Sequence, residues 1–508
     1  MSSAPNLARE VNSRRKSGLG HWMSRVLKEA DKAVPDLDPD PVHDLRVALR
    51  RCRSMADGLG VIDADKSWKK MKKLGKPLFQ ALGELRDVQV MKDWIEQLGS
   101  AEDDATRILR THTETQEAQL KQQALQALEQ FDRAQWKTWR RELARRAARI
   151  RLGSPVFQHL ALERWMEARK LQPPALRTGN PQSLHRLRIG LKRFRYTVEN
   201  FLPQLDARWS DGLKQVQDLL GEVHDLDVLW QTALAIGAFP DEASRARWHD
   251  IITVERQKRI EKYREKMAGP HALWNVWRDQ LPKGRQIHAA ALSRLKTWAS
   301  FLDPDFRHAQ RVAQLATRFY DELTRKAIDP VSGPQDLRSI LYAAALMHEV
   351  GRSRKRKDHH KKSSHLIRSL RPPLGWTAEE LNLAGIVARY HRGALPQSRH
   401  HAFGRLPSDQ RRTALRLAAI LRFVDAIAET DARRPLDHRA MHLQVEEKDR
   451  VLQVYAAGYR PYSQVAVRIA AARHLLEVNL RRPVVVKALI AKKHPLRQSK
   501  TKRAKPAA

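Results

Sequence analysis

Residues 43 to 53 read HDLRVALRRCR and residues 185 to 195 read HRLRIGLKRFR, so one basic segment occurs twice at a constant offset (185 − 43 = 142; 195 − 53 = 142). In each copy a histidine and three cations fall at i, i+3, i+7 and i+10: His43, Arg46, Arg50 and Arg53, then His185, Arg188, Lys192 and Arg195. At ~100° per residue these positions occupy an arc of ~80° on a helix. Leu45, Leu49, Cys52 and Leu59 fall on the opposite side of the first copy, and Leu187, Leu191 and Phe194 on that of the second. Each copy therefore predicts a helix with one face for a core and one for a ladder of cations. Like charges so close repel, and the arrangement is costly unless an anion lies along it.

Composition gives the same answer at larger scale. The 508 residues carry 95 Lys and Arg against 57 Asp and Glu, a formal net charge of +38, which implies a polyanionic partner such as nucleic acid, an acidic membrane surface or a phosphate polymer. The length allows two to four domains, and the 42% hydrophobic content supplies cores for them. The single cysteine, Cys52, excludes an intramolecular disulfide and suits a reducing compartment. The basic N-terminus is followed by no apolar stretch, so it does not read as a secretory signal. No apolar run is long enough to span a membrane, and the expectation is a cytoplasmic protein.

Apolar residues recur at helical spacing and Gly and Pro are few, so the chain reads as mainly α. The duplication extends beyond the ladders. LGELRDVQV (82–90) follows the first and LGEVHDLDV (220–228) the second, at an offset of 138 that also relates Lys76 to Lys214. Two helical halves, about 1–170 and 180–285, are expected, joined by a loop at 171–183 (LQPPALRTGNPQS). Segments 101–150 and 241–268 read as long amphipathic helices, the first as a hairpin arm. A second domain runs over 286–487: helices to 428, a β-hairpin at 442–456, a helix at 462–479 and a short strand at 483–486. Residues 488–508 form a basic tail without acidic residues, expected to be disordered.

With both motifs present in both halves, residues 1–285 resemble the CHAD family, the conserved-histidine α-helical domain. The resemblance implies a duplicated helical bundle around a basic pore or groove that binds inorganic polyphosphate. Carried to this sequence, it implies binding by His43, Arg46, Arg50, Arg51, Arg53, His185, Arg188, Lys192, Arg193 and Arg195, with Lys72, Lys73, Lys76 and Lys214 adding to the lining. The physical argument is independent of the family. Polyphosphate has charge but no bases, so rows of Arg forks and Lys point charges suit it better than stacking platforms. Asp87 and Asp225, from the LGxxxD motifs, are expected to orient ladder arginines or cap a neighbouring helix rather than do chemistry.

Four further signals are ordered along 300–430: FRHAQRVAQLATRFYDEL (306–323), LYAAALMHEVG (341–351), HHKKSSHLI (359–367) with ARYHRG (388–393), and LRLAAILRFVDAIAE (415–429). Histidines and carboxylates gathered from separate helices are what a divalent metal needs. Together they resemble the HD-type domain that ends the exopolyphosphatase/guanosine pentaphosphate phosphohydrolase (Ppx/GppA) family. That resemblance implies a metal set of His308, His348, Glu349 and Asp425, with Glu349 standing where the pattern has Asp. His360, His365 and His391 are outer positions for a second metal or phosphate, with manganese, magnesium or iron as the metal; the alternative is a degenerate site whose histidines are hydrogen-bonded or bind phosphate without metal.

Three functions follow. The favoured one is a polyphosphate-binding protein, located at polyphosphate granules, that holds the polymer without cutting it. The second is a metal-dependent HD-type phosphohydrolase acting on polyphosphate or a phosphorylated nucleotide. The third is nonspecific nucleic-acid binding, which the scatter of the 13 tryptophans away from the ladders disfavours. No membrane partner is expected, and the sequence leaves the oligomeric state open.

Overall fold

The structure is a computed structural model that describes residues 18–33, 37, 39–328, 335–354, 357–431 and 443–489. The basic tail expected at 488–508 lies outside these from residue 490 onward. The chain divides into two compact units, Met1–Trp298 and Ala299–Ala508. The described residues are mainly helical, with one small sheet.

In the first unit the helices are α1 (Leu19–Ala33), α2 (Pro39–Leu59), α3 (Ser67–Leu74), α4 (Lys76–Leu98), α5 (Asp104–Glu129), α6 (Arg133–Ala147), α7 (Pro155–Thr178), α8 (Pro181–Phe201), α9 (Pro203–Ala235), α10 (Glu242–Met267) and α11 (Leu273–Asp279). Side-chain oxygens at several N-termini accept from backbone N–H groups that helices leave unpaired: Asp103 from Thr106, Asp132 from Gln135, Asn180 from Ser183 and Asp241 from Ser244. The ladders occupy α2 and α8, and their apolar faces are buried as the periodicity requires. Leu45, Leu49, Cys52, Leu187 and Phe194 are fully enclosed. Each such Leu or Phe contributes roughly 1.5–3 kcal/mol by leaving water.

The LGxxxD motifs lie on α4 and α9. Met91, Trp94 and Ile95 of α4 join Leu226, Leu229 and Ala233 of α9 in one apolar cluster with Leu109 of α5 and Trp248 of α10. The duplicated halves thus share a core. They differ where α9 runs unbroken and its counterpart is split into α3 and α4. At the 138-residue offset, Gly75 and Pro77 replace Leu213 and Gln215, and Gly75 caps α3 while Pro77 opens α4.

Two sequence expectations change here. The loop expected at 171–183 is helix as far as Thr178, through Pro173 and Pro174. Buried Gln172 anchors this turn: its Nε2 donates to the Met267 carbonyl at 3.3 Å, and its Oε1 accepts from Tyr263 Oη at 3.0 Å and from Trp274 Nε1. Tertiary hydrogen bonds thus outweigh the local proline preference. The helix ends only at Gly179, in the left-handed conformation. The expected 101–150 arm is two helices on different partners, α5 along α4 and α6 on α1 and α3.

From Arg285 the chain continues as α12 (Arg285–Leu302), whose Arg294 pairs with Glu163 at 2.7 Å, so packing divides the units later than the 285/286 junction expected from sequence. The second unit contains α13 (Phe306–Arg325), α14 (Gln335–Met347), α15 (His359–Arg368), α16 (Ala378–Arg389), α17 (His401–Gly404), α18 (Ser408–Ala428) and α19 (Gln464–Leu480), with β1 (Leu443–Lys448), β2 (Val451–Ala456) and β3 (Val484–Ala488). α13, α14, α16 and α18 pack together. β1 and β2 form the expected hairpin, pairing Leu443 with Ala456 and Val445 with Val454. β3 returns parallel to β2 after α19.

Candidate functional site

Helices α2 and α8 pack on each other, and that contact decides which ladder cations share one space. A cleft of about 610 Å³ is lined by Arg46, Arg50 and Arg53 of α2 and by Arg188, Lys192 and Arg193 of α8. Lys72 and Arg164 add two cations from α3 and α7, and Asp57 is the one carboxylate in the lining. Eight cations face one carboxylate in the lining, and from outside it Asp87 and Glu167 pair with Arg46 and Arg164. The Nε atoms of Arg50 and Arg188 are buried without a hydrogen-bond partner. Arg50 lies over the Tyr196 ring at 5.4 Å and Arg53 over Phe79 at 4.9 Å, which fixes both guanidinium planes.

The electrostatics record the crowding. Burial, with Arg188, Arg46 and Arg50 alongside, holds the Lys192 ammonium down at about 7. Burial also lowers Arg46, against Asp87, whose carboxylate is 3.7 Å away. Asp225 is pushed up to about 6 by burial, against the pull of Arg188. Thus Asp87 does contact a ladder arginine, as expected, while Asp225 interacts with Arg188 and Lys192 through their charge. The His185 ring lies 4.8 Å from that of His224 of the second LGxxxD motif, tilted by 46°. Burial and the neighbouring Arg188 lower both rings, His224 to about 4.

Other expected ligands are engaged elsewhere. Arg51 and Arg195 both bind Glu199, at 3.0 and 2.8 Å, and Arg51 also donates to Asn200 Oδ1 at 3.1 Å. The repeat is therefore unequal: Arg53 lines the cleft, and its counterpart Arg195 pairs with Glu199 one turn on along α8, while Arg51 ties α2 to α8 through the same carboxylate. His43, Lys73 and Lys76 are exposed outside the cleft lining, and Lys214 is exposed beside Asp218. Arg164, Tyr196 and Phe79 were missed, because no repeat marks them.

In the second unit, His308 Nε2 lies 2.8 Å and His348 Nε2 3.3 Å from Asp425 Oδ1. These three form one group with metal-ligand spacing, and His348, Glu349 and His391 form another, with all ligand atoms of each within 4.8 Å. The expected set of four is thus divided. The long side chain of Glu349 puts Oε1 at 3.2 Å from His359 and 4.0 Å from His391, and Arg352 pairs with Oε2. His348 and His391 donate Nδ1–H to the carbonyls of Ala345 and Ala388 at 2.6 and 2.7 Å, which turns each Nε2 into the cluster. His348 Nε2 is buried with no well-formed hydrogen bond.

Burial opposes the charge on His348, yet Asp425 and Glu349 outweigh it and push the imidazole up to about 9. Burial acts against Glu349 as well, but His359, His348 and Arg352 hold it at about 2. Burial and His348 hold His391 down at about 3. Of the outer histidines, His391 joins the cluster and His365 is exposed. His360 lies at the edge, 6.3 Å from His391 between ring centroids. The inner one is His359, which the sequence reading passed over. Its spacing from buried Ser363 and Ile367, four and eight residues on, was the available signal. Buried Asp303, beside His348 and Glu349, was also missed. Locked tautomers, an orphaned imidazole nitrogen and carboxylates within reach fit a divalent cation.

Fold and cleft together define the class. Residues 19–234 match the CHAD domain family model, so the N-terminal unit carries a CHAD domain. Residues 293–480 match the Ppx/GppA phosphatase, domain III, so the C-terminal unit carries that domain. No curated protein matches the chain. The two domains fit a polyphosphate-related role, and no helix among the described residues is long and apolar enough to cross a membrane.

Proposed function

We propose that the protein binds inorganic polyphosphate in the α2–α8 cleft. The observation that carries this reading is the convergence of six ladder cations from two duplicated helices on one space with a single carboxylate. Phosphate oxygens would pair with the guanidinium forks of Arg46, Arg50 and Arg188 that line the cleft. Each phosphate neutralised releases counterions, so affinity falls steeply with salt. Reversing Arg46, Arg50, Arg188 and Lys192 to Glu is expected to reduce polyphosphate binding by at least about 100-fold, while Lys262→Glu, exposed on α10, leaves it intact. Affinity measured at matched salt for polyphosphate and duplex DNA tests selectivity. Equal affinity, or a reversed ladder that still binds, overturns the reading. Attachment to polyphosphate granules in the cytoplasm belongs to the same proposal.

A second reading rests on the histidine–carboxylate cluster. His308, His348 and Asp425 would hold a divalent cation, with Glu349, His359 and His391 beside it. Such a cation supplies Lewis acidity toward a phosphoryl oxygen and lowers the pKa of bound water. The chain's own groups position it: the carbonyls of Ala345 and Ala388 hold the imidazoles, and Arg352 holds Glu349. The prediction is about one equivalent of manganese by elemental analysis after reconstitution, lost in Asp425→Asn. Phosphate release from polyphosphate by the loaded protein, absent in that variant, would make it a phosphohydrolase. A protein that takes up no metal ends this second reading.

A further inference from the structure

We propose that Lys192 is a site of covalent acylation by acyl phosphates, with the surrounding arginines seating the phosphate and the lysine amine taking the acyl group. This goes beyond polymer binding and does not require it. The geometry has three parts. Lys192 lines an open cleft and is partly exposed there. Arg188 from its own helix and Arg46 and Arg50 from α2 line that cleft with it. These groups would fix a dianionic phosphate beside the amine. The Lys192 side chain is itself largely enclosed among cations, which disfavours its protonated form.

The charged groups facing Lys192 are few and mostly positive. Arg188 on α8 and Arg46 and Arg50 on α2 oppose its proton, and Asp225 on α9 favours it. Arg164 on α7 stands in the cleft wall, and His185 and His224 feel its charge. An ordinary lysine, at about 10.4, is neutral in fewer than about one molecule in a thousand at pH 7. With Lys192 held near 7, about half of the molecules present a free amine there. Crowding by other cations is a recognised route to a nucleophilic lysine. Lower basicity costs some intrinsic reactivity, so the net gain expected is smaller than the gain in free amine.

The step balances without an oxidant or reductant. The Nζ lone pair attacks the acyl carbon, a C–N amide bond forms, and the C–O bond to the phosphate breaks. Inorganic phosphate leaves with the electron pair, and the nitrogen's proton passes to solvent. The product lysine is neutral, so the modification removes one cation from the cleft's centre.

The test treats the full chain with acetyl phosphate at pH 7.5 and follows acetylation by peptide mass spectrometry. Lys192 is expected to react at least about tenfold faster than exposed Lys262. That preference should shrink by more than half at pH 9.5, where exposed lysines also begin to lose their protons, and in Arg188→Gln, whose folding is checked by circular dichroism. A Lys192 rate no greater than that of Lys262 overturns the proposal, as does a preference that Arg188→Gln leaves unchanged. Should that variant fail to fold, excess inorganic phosphate replaces it: competition must slow Lys192 selectively, and no effect overturns the role of the arginines. Saturating polyphosphate separates the two readings. Labelling that persists under it contradicts polymer binding in the cleft, while the modification site stands.

Discussion

Glu199 shows how one side chain decides the fate of two cations that look like ligands. It is 8% exposed and receives Arg51 and Arg195 from two helices, while Asn200 beside it donates to Ser54 Oγ at 2.8 Å. The Arg51 and Ser54 contacts fasten α2 to α8 beside the cleft, and Arg195 holds Glu199 from within α8. Removing the charge in Glu199→Gln leaves two partly buried guanidinium groups without their anion. The expected loss is about 2–4 kcal/mol of stability in urea unfolding, because breaking a buried pair leaves an uncompensated charge. Arg50→Gln should behave in the opposite way, with weaker polyphosphate binding and stability unchanged or slightly raised, since it relieves repulsion. A Glu199→Gln protein as stable as the parent would remove Arg51 and Arg195 from the structural set and return them to the binding one.

Individual elements repeat this division between what pattern predicts and what packing adds. The β1–β2 hairpin turns at Asp449 and Arg450, both in the left-handed region at φ 53° and 63°, as a two-residue hairpin turn of the right hand requires. Arginine is poorly suited there, and Arg450→Gly should stabilise the unit by about 0.5–1 kcal/mol, read as a raised unfolding midpoint. Gly58 on α2 is the reverse case. A Cβ there would come within 2.5 Å of the Phe201 ring, which stacks on Phe157 at 4.3 Å. Gly58→Ala is expected to cost about 1–3 kcal/mol by the same assay, because a stacked ring cannot give way. Periodicity made the ladder helices, their buried leucines and the hairpin legible, since each follows from side-chain spacing along one element. The α7 helix through Pro173 was not legible, because Gln172 finds its partners on α10 and α11, far away in sequence. For the same reason the cleft was half legible: the repeat marked Arg46, Arg50, Arg188 and Lys192, but gave no hint of Arg164 or of the capture of Arg195 by Glu199. In the second unit the donor types were legible, but the pull of Arg352 and His359 on Glu349 was not.

For the molecule as a whole, an excess of 38 positive charges makes assembly of the cleft a standing electrostatic cost, and Lys192 is where that cost becomes measurable. Its folded value near 7 lies below the ordinary 10.5, so between these values the unfolded chain holds more protons than the folded one. Stability therefore rises with pH from about 7 toward 10.5, and the penalty is fully present below 7. Polyphosphate reverses the local field. With phosphates alongside, the ammonium is again favoured, and binding above pH 7 must draw in a proton. Affinity should then decline as pH rises from 7 to 9, apart from any effect of salt. Titration calorimetry at pH 8.5 in two buffers of different ionisation enthalpy reads the uptake directly. The apparent binding enthalpies should differ by an amount corresponding to a substantial fraction of one proton, and the difference should vanish in Lys192→Met. Equal enthalpies in the two buffers would mean that the polymer does not reach the cationic centre of the cleft, whatever its affinity for the rest of this strongly basic surface.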